Sequence, residues 1–324
     1  MTPAVSAGGA ATAGSVLPPS VADGLARLQG VTEGADDAAD VLERLLRPIA
    51  DSAWPDVAWQ FSRLTGIGFP LEFGFTSAGA GFRATIEVAG PEVRDVERLP
   101  LAVQILRDEG VSAGPDLPVL QPSAEKLRWG AWLGCRFSAG PTYKLYVEVP
   151  DPSVHLVPAW DAWRRLPSGA PSELRMIGWD PGSGTIELYF RTHRLTPDDV
   201  EALAARVGVT DVGALLASIE SLAERSAERV LAGRQIGYSI VVRRDGTAVA
   251  LAVLGAGRVI CGGERRVRPR LLAAAERERW DLGAYEALTR PLERRDDGLA
   301  HGLVVHVLVP GRPMQLQVGV RPIP

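Results

Sequence analysis

The chain has 324 residues, a formal net charge of −4 and 46% hydrophobic residues, enough to bury a sizeable core in one large domain or two ordinary ones. With only two lysines, Lys126 and Lys144, it carries no basic field, which excludes nucleic acid as an expected partner. Cys135 and Cys261 are its only cysteines, which excludes a disulfide framework or a cysteine zinc site. No apolar run is long enough to span a membrane and no basic-then-apolar leader stands at the start, so a cytoplasmic protein is expected.

Residues 1–18 are mostly Ala, Gly, Thr, Ser and Pro with little to bury, so a disordered tail is expected there, followed by a single domain over 19–324. Residues 20–28 and 36–49 carry helical spacing, the second with Val41, Leu42, Leu45, Leu46 and Ile49 on one face. Asp36, Asp37 and Asp40 spell DDxxD, a spacing that can bridge metal ions to a diphosphate. In the first turn of a helix the dipole alone favours carboxylates, and that plainer reading is adopted. A strand pair, 71–76 and 82–89, follows through a Gly-containing turn; residues 91–109 read as helix, and 131–137 pairs with 143–149. After a short helix over 161–166 comes the clearest hairpin, within 176–191. There Asp180-Pro181-Gly182-Ser183-Gly184 joins two alternating runs, Pro presetting φ and the glycines accepting φ > 0. Helices over 197–207 and 212–231, strands 236–242 and 248–254, a helix over 268–285 and strands 303–309 and 314–320 complete the chain. Thr196 supplies an N-cap and Pro197 a first-turn residue for the first of these helices.

The unit of helix followed by hairpin thus repeats five times at intervals of roughly 40–65 residues. The expected fold is α+β, a ten-stranded antiparallel β-barrel of five helix–hairpin repeats with helices on the outside. Period 2 sorts the faces. Ala84, Ile86 and Val88 alternate with Arg83, Thr85 and Glu87; Leu145, Val147 and Val149 with Lys144, Tyr146 and Glu148; Ile186, Leu188 and Phe190 with Thr185, Glu187, Tyr189 and Arg191. If helices cover the outside, the apolar set must face them and the polar set lines a lumen; on an open sheet the polar set would face solvent. His301 and His306, five apart, are expected on opposite faces and so not as one metal pair.

Three segments resemble the ABBA, or PT-barrel, family of aromatic prenyltransferases. They are Gly178-Trp179-Asp180 running on through Thr185 to Phe190; Thr142-Tyr143-Lys144-Leu145-Tyr146, similar to a Lys-x-Tyr strand that holds diphosphate; and Gly68-Phe69-Pro70-Leu71-Glu72-Phe73 with Arg83 eleven residues beyond Glu72. The resemblance implies transfer of a dimethylallyl or longer prenyl group from its diphosphate, the co-substrate, to an indole-type or other aromatic acceptor. That acceptor is a small molecule or a peptide side chain, and the protein is expected to be a monomer. Such chemistry needs cationic donors for the leaving diphosphate, π-faces that shield an allyl cation from water, and a base that orients the acceptor. By the resemblance, Arg83 and Lys144 bind diphosphate, Tyr146 and Tyr189 shield the cation, and Glu72 orients and deprotonates. Met176, Glu187, Ser239, Gln315 and Gln317 then contact the acceptor. Thr85 stands where metal-dependent members carry Asp, so no metal is expected. Thr185-x-Glu187-x-Tyr189 stands where fungal members carry Arg-x-Lys-x-Tyr, which leaves Glu72, Glu87, Glu148 and Glu187 together in the expected lumen. Unpaired carboxylates there would repel a diphosphate. The competing expectation is therefore a barrel without a working diphosphate site, binding or cyclising an aromatic metabolite.

Overall fold

In this computed structural model, which describes residues 16–79, 81–112, 127–150, 158–294 and 298–323, ten strands close into an antiparallel barrel. Most of the tail expected over 1–18 lies outside the described residues, and Leu17 already packs in the core. In chain order, α1 (Pro19–Leu28) and α2 (Ala35–Ala50) precede β1 (Leu71–Thr76) and β2 (Phe82–Glu87). Next, α3 (Arg98–Asp108) precedes β3 (Ala131–Phe137) and β4 (Thr142–Glu148), and α4 (Pro158–Asp161) precedes β5 (Ser172–Asp180) and β6 (Thr185–Thr192). Three helices, α5 (Pro197–Arg206), α6 (Gly213–Ala223) and α7 (Ala227–Leu231), lead to β7 (Ile236–Val242) and β8 (Ala248–Ala256). Three more, α8 (Gly257–Ile260), α9 (Glu264–Glu278) and α10 (Gly283–Thr289), lead to β9 (His301–Leu308) and β10 (Gln315–Val320). Each strand pairs with its sequence neighbours, and β1 with β10 closes the ring, Phe73 opposite Val320 and Thr76 opposite Gln317.

The apolar phase of the strands faces outward. Leu71, Phe73, Ile86, Leu133, Leu145, Leu188, Ile240, Leu251 and Val304 are all buried. Over them α2 packs on β2 and β3, α3 on β3 and β4, α5 on β8, and α6 on β9. Each such side chain contributes roughly 1.5–3 kcal/mol of burial, so the core is a shell between the sheet and the helices. Polar ties also cross that shell; in the one from β4, the Tyr143 hydroxyl donates to Glu109 (2.6 Å), which also receives Arg44 of α2 (2.9 Å).

Two long expected helices are each broken in two. The run over 212–231 ends α6 at Glu224, held at φ 53°, and restarts at α7 with the Ala227 N–H donating to Glu220 Oε1 (2.9 Å). The run over 268–285 ends α9 at Arg279, held at φ 56°, where the Trp280 N–H turns back to Ala275 O (2.9 Å). Neither stop is a glycine, so each costs left-handed strain that local hydrogen bonds offset. The histidines also differ from expectation. His301 and His306 both face the helices, because β9 has one more residue than β10 between the Val320–His301 and Val318–Val304 pairs, and this bulge resets the alternation. His301 bonds Tyr285 (2.9 Å) and Glu264 (2.6 Å), whereas His306 bonds Ser218 (3.1 Å), so they have separate partners and form no metal pair.

Because the sheet is apolar outside, Leu188→Ala is expected to lower stability by about 2–5 kcal/mol in urea unfolding, while Arg191→Ala three residues on, exposed, changes it by less than about 0.5 kcal/mol.

Candidate active site

The inward phase of β4, β5, β6 and β7 brings six of the expected residues together. Tyr146 lies opposite Gly178, which lies opposite Glu187, while Met176 lies opposite Tyr189, which lies opposite Ser239. The Lys144 ammonium forms an ion pair with Glu187 Oε2, and Ser239 donates to Glu187 Oε1 (2.5 Å). The Tyr189 hydroxyl also donates to this carboxylate. The Tyr146 and Tyr189 rings converge, with centroids 6.1 Å apart and planes at 60°. Lys144 Nζ stands 5.3 Å from one centroid and 5.7 Å from the other, so two π-faces share one cation. Burial alone would depress the Lys144 pKa, but Glu187 outweighs it and holds the ammonium above its ordinary range. Burial likewise pushes Glu187 up, and the attraction of Lys144 with its hydrogen bonds brings it below the usual carboxylate value. The Tyr189 phenol is lifted well above its ordinary value by burial first and the adjacent Glu187 charge next.

Inward-facing glycines make room for these side chains. A β-carbon on Gly178 would stand 2.6 Å from Lys144 Cε, one on Gly134 3.0 Å from the Tyr146 ring, and one on Gly74 2.6 Å from Arg83 Cγ. Glu72 lies across two, Gly319 of β10 and Gly302 at the β9 bulge, where β-carbons would stand 2.5 and 2.8 Å from its carboxyl carbon. Glycine inside a strand weakens it, so its presence marks close approach by another group. That signal was in the sequence for Gly74, Gly134, Gly178 and Gly319, which fall in the inward alternation of their strands, whereas Gly302 precedes the strand expected over 303–309.

Charges in the lumen mostly have private partners. Glu87 pairs with Arg98 (2.9 Å) and accepts from Ser62 (2.6 Å) and Trp132 Nε1 (2.9 Å), while Glu148 Oε2 accepts the backbone N–H groups of Arg128, Trp129 and Gly130 at 2.8, 2.8 and 3.0 Å. With Glu187 bound to Lys144, three of the four expected carboxylates are thereby compensated. Glu72 and Arg83 have no hydrogen bond or ion pair among the described residues, although the Arg83 charge acts on Glu72, Lys144 and Tyr189. Gln315 and Gln317 lie apart from the tyrosines. They line a cavity of about 270 Å³ at the hairpin end of the barrel together with Arg83, Arg136 and Arg312, the last two being residues that sequence reasoning did not single out. Asp36 and Asp37 lie exposed in the first turn of α2, on the helical layer outside the sheet, and among the described residues no group of three His, Cys, Asp or Glu side chains is placed to hold a metal ion.

Burial lifts the Glu72 carboxyl to about 7 against the opposing pull of Arg83. A folded value above the unfolded one means that protonation favours folding, with that stability present at low pH and lost as pH rises through about 7. Glu72→Gln, neutral throughout, is expected to match the wild type near pH 4 and to exceed it by about 1–3 kcal/mol at pH 8 in denaturant titrations.

No known family profile matches the chain, and no curated protein matches it. Among solved structures, it is similar to 6-dimethylallyltryptophan synthase from Micromonospora olivasterospora in complex with DMASPP and Trp, at 19% identity and TM-score 0.74, covering 93% of this chain and 96% of that one. It is also similar to 5-dimethylallyl tryptophan synthase from Streptomyces coelicolor, in complex with the same two ligands, at 18% identity and TM-score 0.72 over 93% and 94%. AnaPT from Neosartorya fischeri aligns at 14% identity and TM-score 0.64 over 93% and 92%. The closed ten-stranded sheet, its outer helices and these alignments together show that the chain has the PT-barrel fold of the ABBA-type aromatic prenyltransferases.

Proposed function

We propose that the protein is an aromatic prenyltransferase that moves a dimethylallyl or longer prenyl group from its diphosphate to an indole-type acceptor. The observation that carries this reading is the convergence of the Tyr146 and Tyr189 ring faces on a single cation inside a barrel. An allylic diphosphate ionises by breaking its C–O bond, the electron pair leaving on the diphosphate oxygen. The resulting allyl cation needs π-faces that stabilise it without attacking it. The aromatic ring then attacks the cation, and loss of the ring proton restores aromaticity. Glu72 is the group we assign to hold the acceptor N–H and take that proton, since a carboxyl lifted to about 7 is a competent base near neutrality. Two solved proteins of the same fold hold DMASPP and Trp, which supports starting with tryptophan as acceptor. Further parts of the proposal are that small aromatic molecules and Trp or Tyr side chains of peptides are the acceptor classes, that side chains rather than a metal ion neutralise the diphosphate, and that residues 19–324 act as one monomeric domain.

One observation favours a second reading, a barrel that binds or cyclises an aromatic metabolite: Glu187 neutralises the lysine of the Lys-x-Tyr strand. The discriminating experiment is incubation with dimethylallyl diphosphate and a panel of indoles and phenols, L-tryptophan first, followed by mass spectrometry. Transfer is expected, and Tyr189→Ala is expected to lower kcat at least tenfold, about 1.4 kcal/mol, with a smaller change in KM. If a folded, donor-binding protein alkylates no member of the panel, the second reading replaces the first.

A further inference from the structure

Glu264 opens α9, and one of its oxygens gathers three donors from two consecutive residues: the Ala300 N–H (2.9 Å), the His301 N–H (2.8 Å) and His301 Nδ1 (2.6 Å). Its other oxygen is buried and has no partner among the described residues. Burial pushes this carboxyl up, but the bonds from His301 and Ala300 bring it below its usual value, so it stays ionised and only accepts. Nδ1 of the neutral ring therefore carries the proton, which leaves Nε2 to accept from the Tyr285 hydroxyl of α10 (2.9 Å). Burial lifts that phenol well above its ordinary value and keeps it the donor. The result is a relay, Tyr285 to His301 to Glu264, that ties two helices to the start of β9.

Gly302 comes next, and at this point its backbone is the whole thickness of the wall. On the lumen side a β-carbon there would stand 2.8 Å from the Glu72 carboxyl carbon; on the outer side a β-carbon on Gly257 of α8 would stand 3.5 Å from the Gly302 carbonyl oxygen. Arg321 secures the approach, its backbone N–H donating to Ala300 O (2.9 Å) and its Nε to Leu299 O (3.0 Å). Glu72 has no hydrogen bond or ion pair of its own among the described residues, so its carboxyl rests where this backbone leaves room. A buried chain of hydrogen bonds rigidifies what it is joined to, and here that is the floor under Glu72.

We propose that His301, clamped between Glu264 and Tyr285, is a positioning residue for Glu72: it touches no substrate, and it fixes the Gly302 backbone on which the carboxyl lies. The task of Glu72 as the acceptor's base rests on the prenyl-transfer reading; its positioning by His301 does not. Loosening the relay lets Gly302 move, admits water beneath the carboxyl and returns Glu72 toward the behaviour of an ordinary side chain.

The test is urea unfolding between about pH 4 and 9 of wild type, Tyr285→Phe, His301→Leu and His301→Asn, each with and without Glu72→Gln. The difference within each pair isolates Glu72 from every other titrating group. With a raised folded pKa, that difference falls as pH rises and levels off at the folded value, about 7 in the wild type. Levelling off is expected about one unit lower in His301→Leu and about half a unit lower in Tyr285→Phe. Tyr285→Phe deletes a hydroxyl and no formal charge, and it leaves Arg268, Cys261 and Glu264 around residue 285 and Arg83 beside Glu72, so its shift is not that of a lost charge. His301→Asn, which keeps an N–H toward Glu264, is expected to restore most of the wild-type value. If His301→Leu does not fold, Tyr285→Phe decides alone. Variants that lose stability equally at every pH, with levelling off still at about 7, reduce the relay to a structural pin and overturn the proposal, as does a wild-type pair that shows no such bend. Where transfer to L-tryptophan is measured, the acid limb of kcat/KM is expected to move to lower pH in the same variants. A shifted Glu72 titration in a protein that transfers nothing leaves the positioning standing and removes the transferase reading.

Discussion

The fold turns on one constraint: every strand must bury its apolar face, and only the outer helices are there to bury it against. Leu71, Leu133, Leu145, Leu188 and Leu251 are all fully covered. Since side chains alternate, what remains for the inside is the opposite phase, Glu72, Arg83, Lys144, Tyr146, Glu187 and Tyr189. The polar lumen is thus a by-product of where the hydrophobic contacts were made. An ordinary small barrel fills itself with aliphatic side chains; this one is stabilised on its outer surface, which leaves the interior for chemistry.

A polar interior is costly unless its charges are compensated. Here compensation is local. Arg98 answers Glu87, three backbone N–H groups answer Glu148, and Lys144 answers Glu187. Glu72 and Arg83 have no such partner among the described residues, and each lies over glycine, Glu72 over Gly302 and Gly319 and Arg83 over Gly74. Groups kept unpaired in a fixed position are those available to bind a substrate.

Much of this was legible in the sequence. The strands alternate over six to nine residues and are separated by Gly-containing turns, so their number and pairing follow from period 2, and the inward phase follows once the intervening helices are placed outside, except in β9 where the bulge resets it. Tyr146 and Tyr189 were legible as one constellation because they occupy inward positions on strands that share β5 as a neighbour. Other features left no such mark. The breaks at Glu224 and Arg279 fall where no glycine or proline stands within three residues on either side. The partner of Lys144 depends on which of several inward carboxylates the barrel's stagger brings nearest, a three-dimensional distance. Arg136 looked like an unremarkable residue at a hairpin end until the register set it against Arg83.

The bulge in β9 carries one residue more than its partner strand, and both Gly302 and Leu303 stand opposite Gly319. On one side of it His301 is anchored to the helical layer through Glu264 and Tyr285; on the other, Gly302 cradles Glu72. The extra residue acts as a phase shifter for the whole edge. Without it, the imidazole and the apolar wall of β9 would exchange sides, and the carboxyl would meet a side chain in place of an open backbone. The position of the acceptor's prospective base is therefore fixed by residue count in a strand that contributes no functional group of its own, so that a deletion there would act on Glu72 as surely as a substitution.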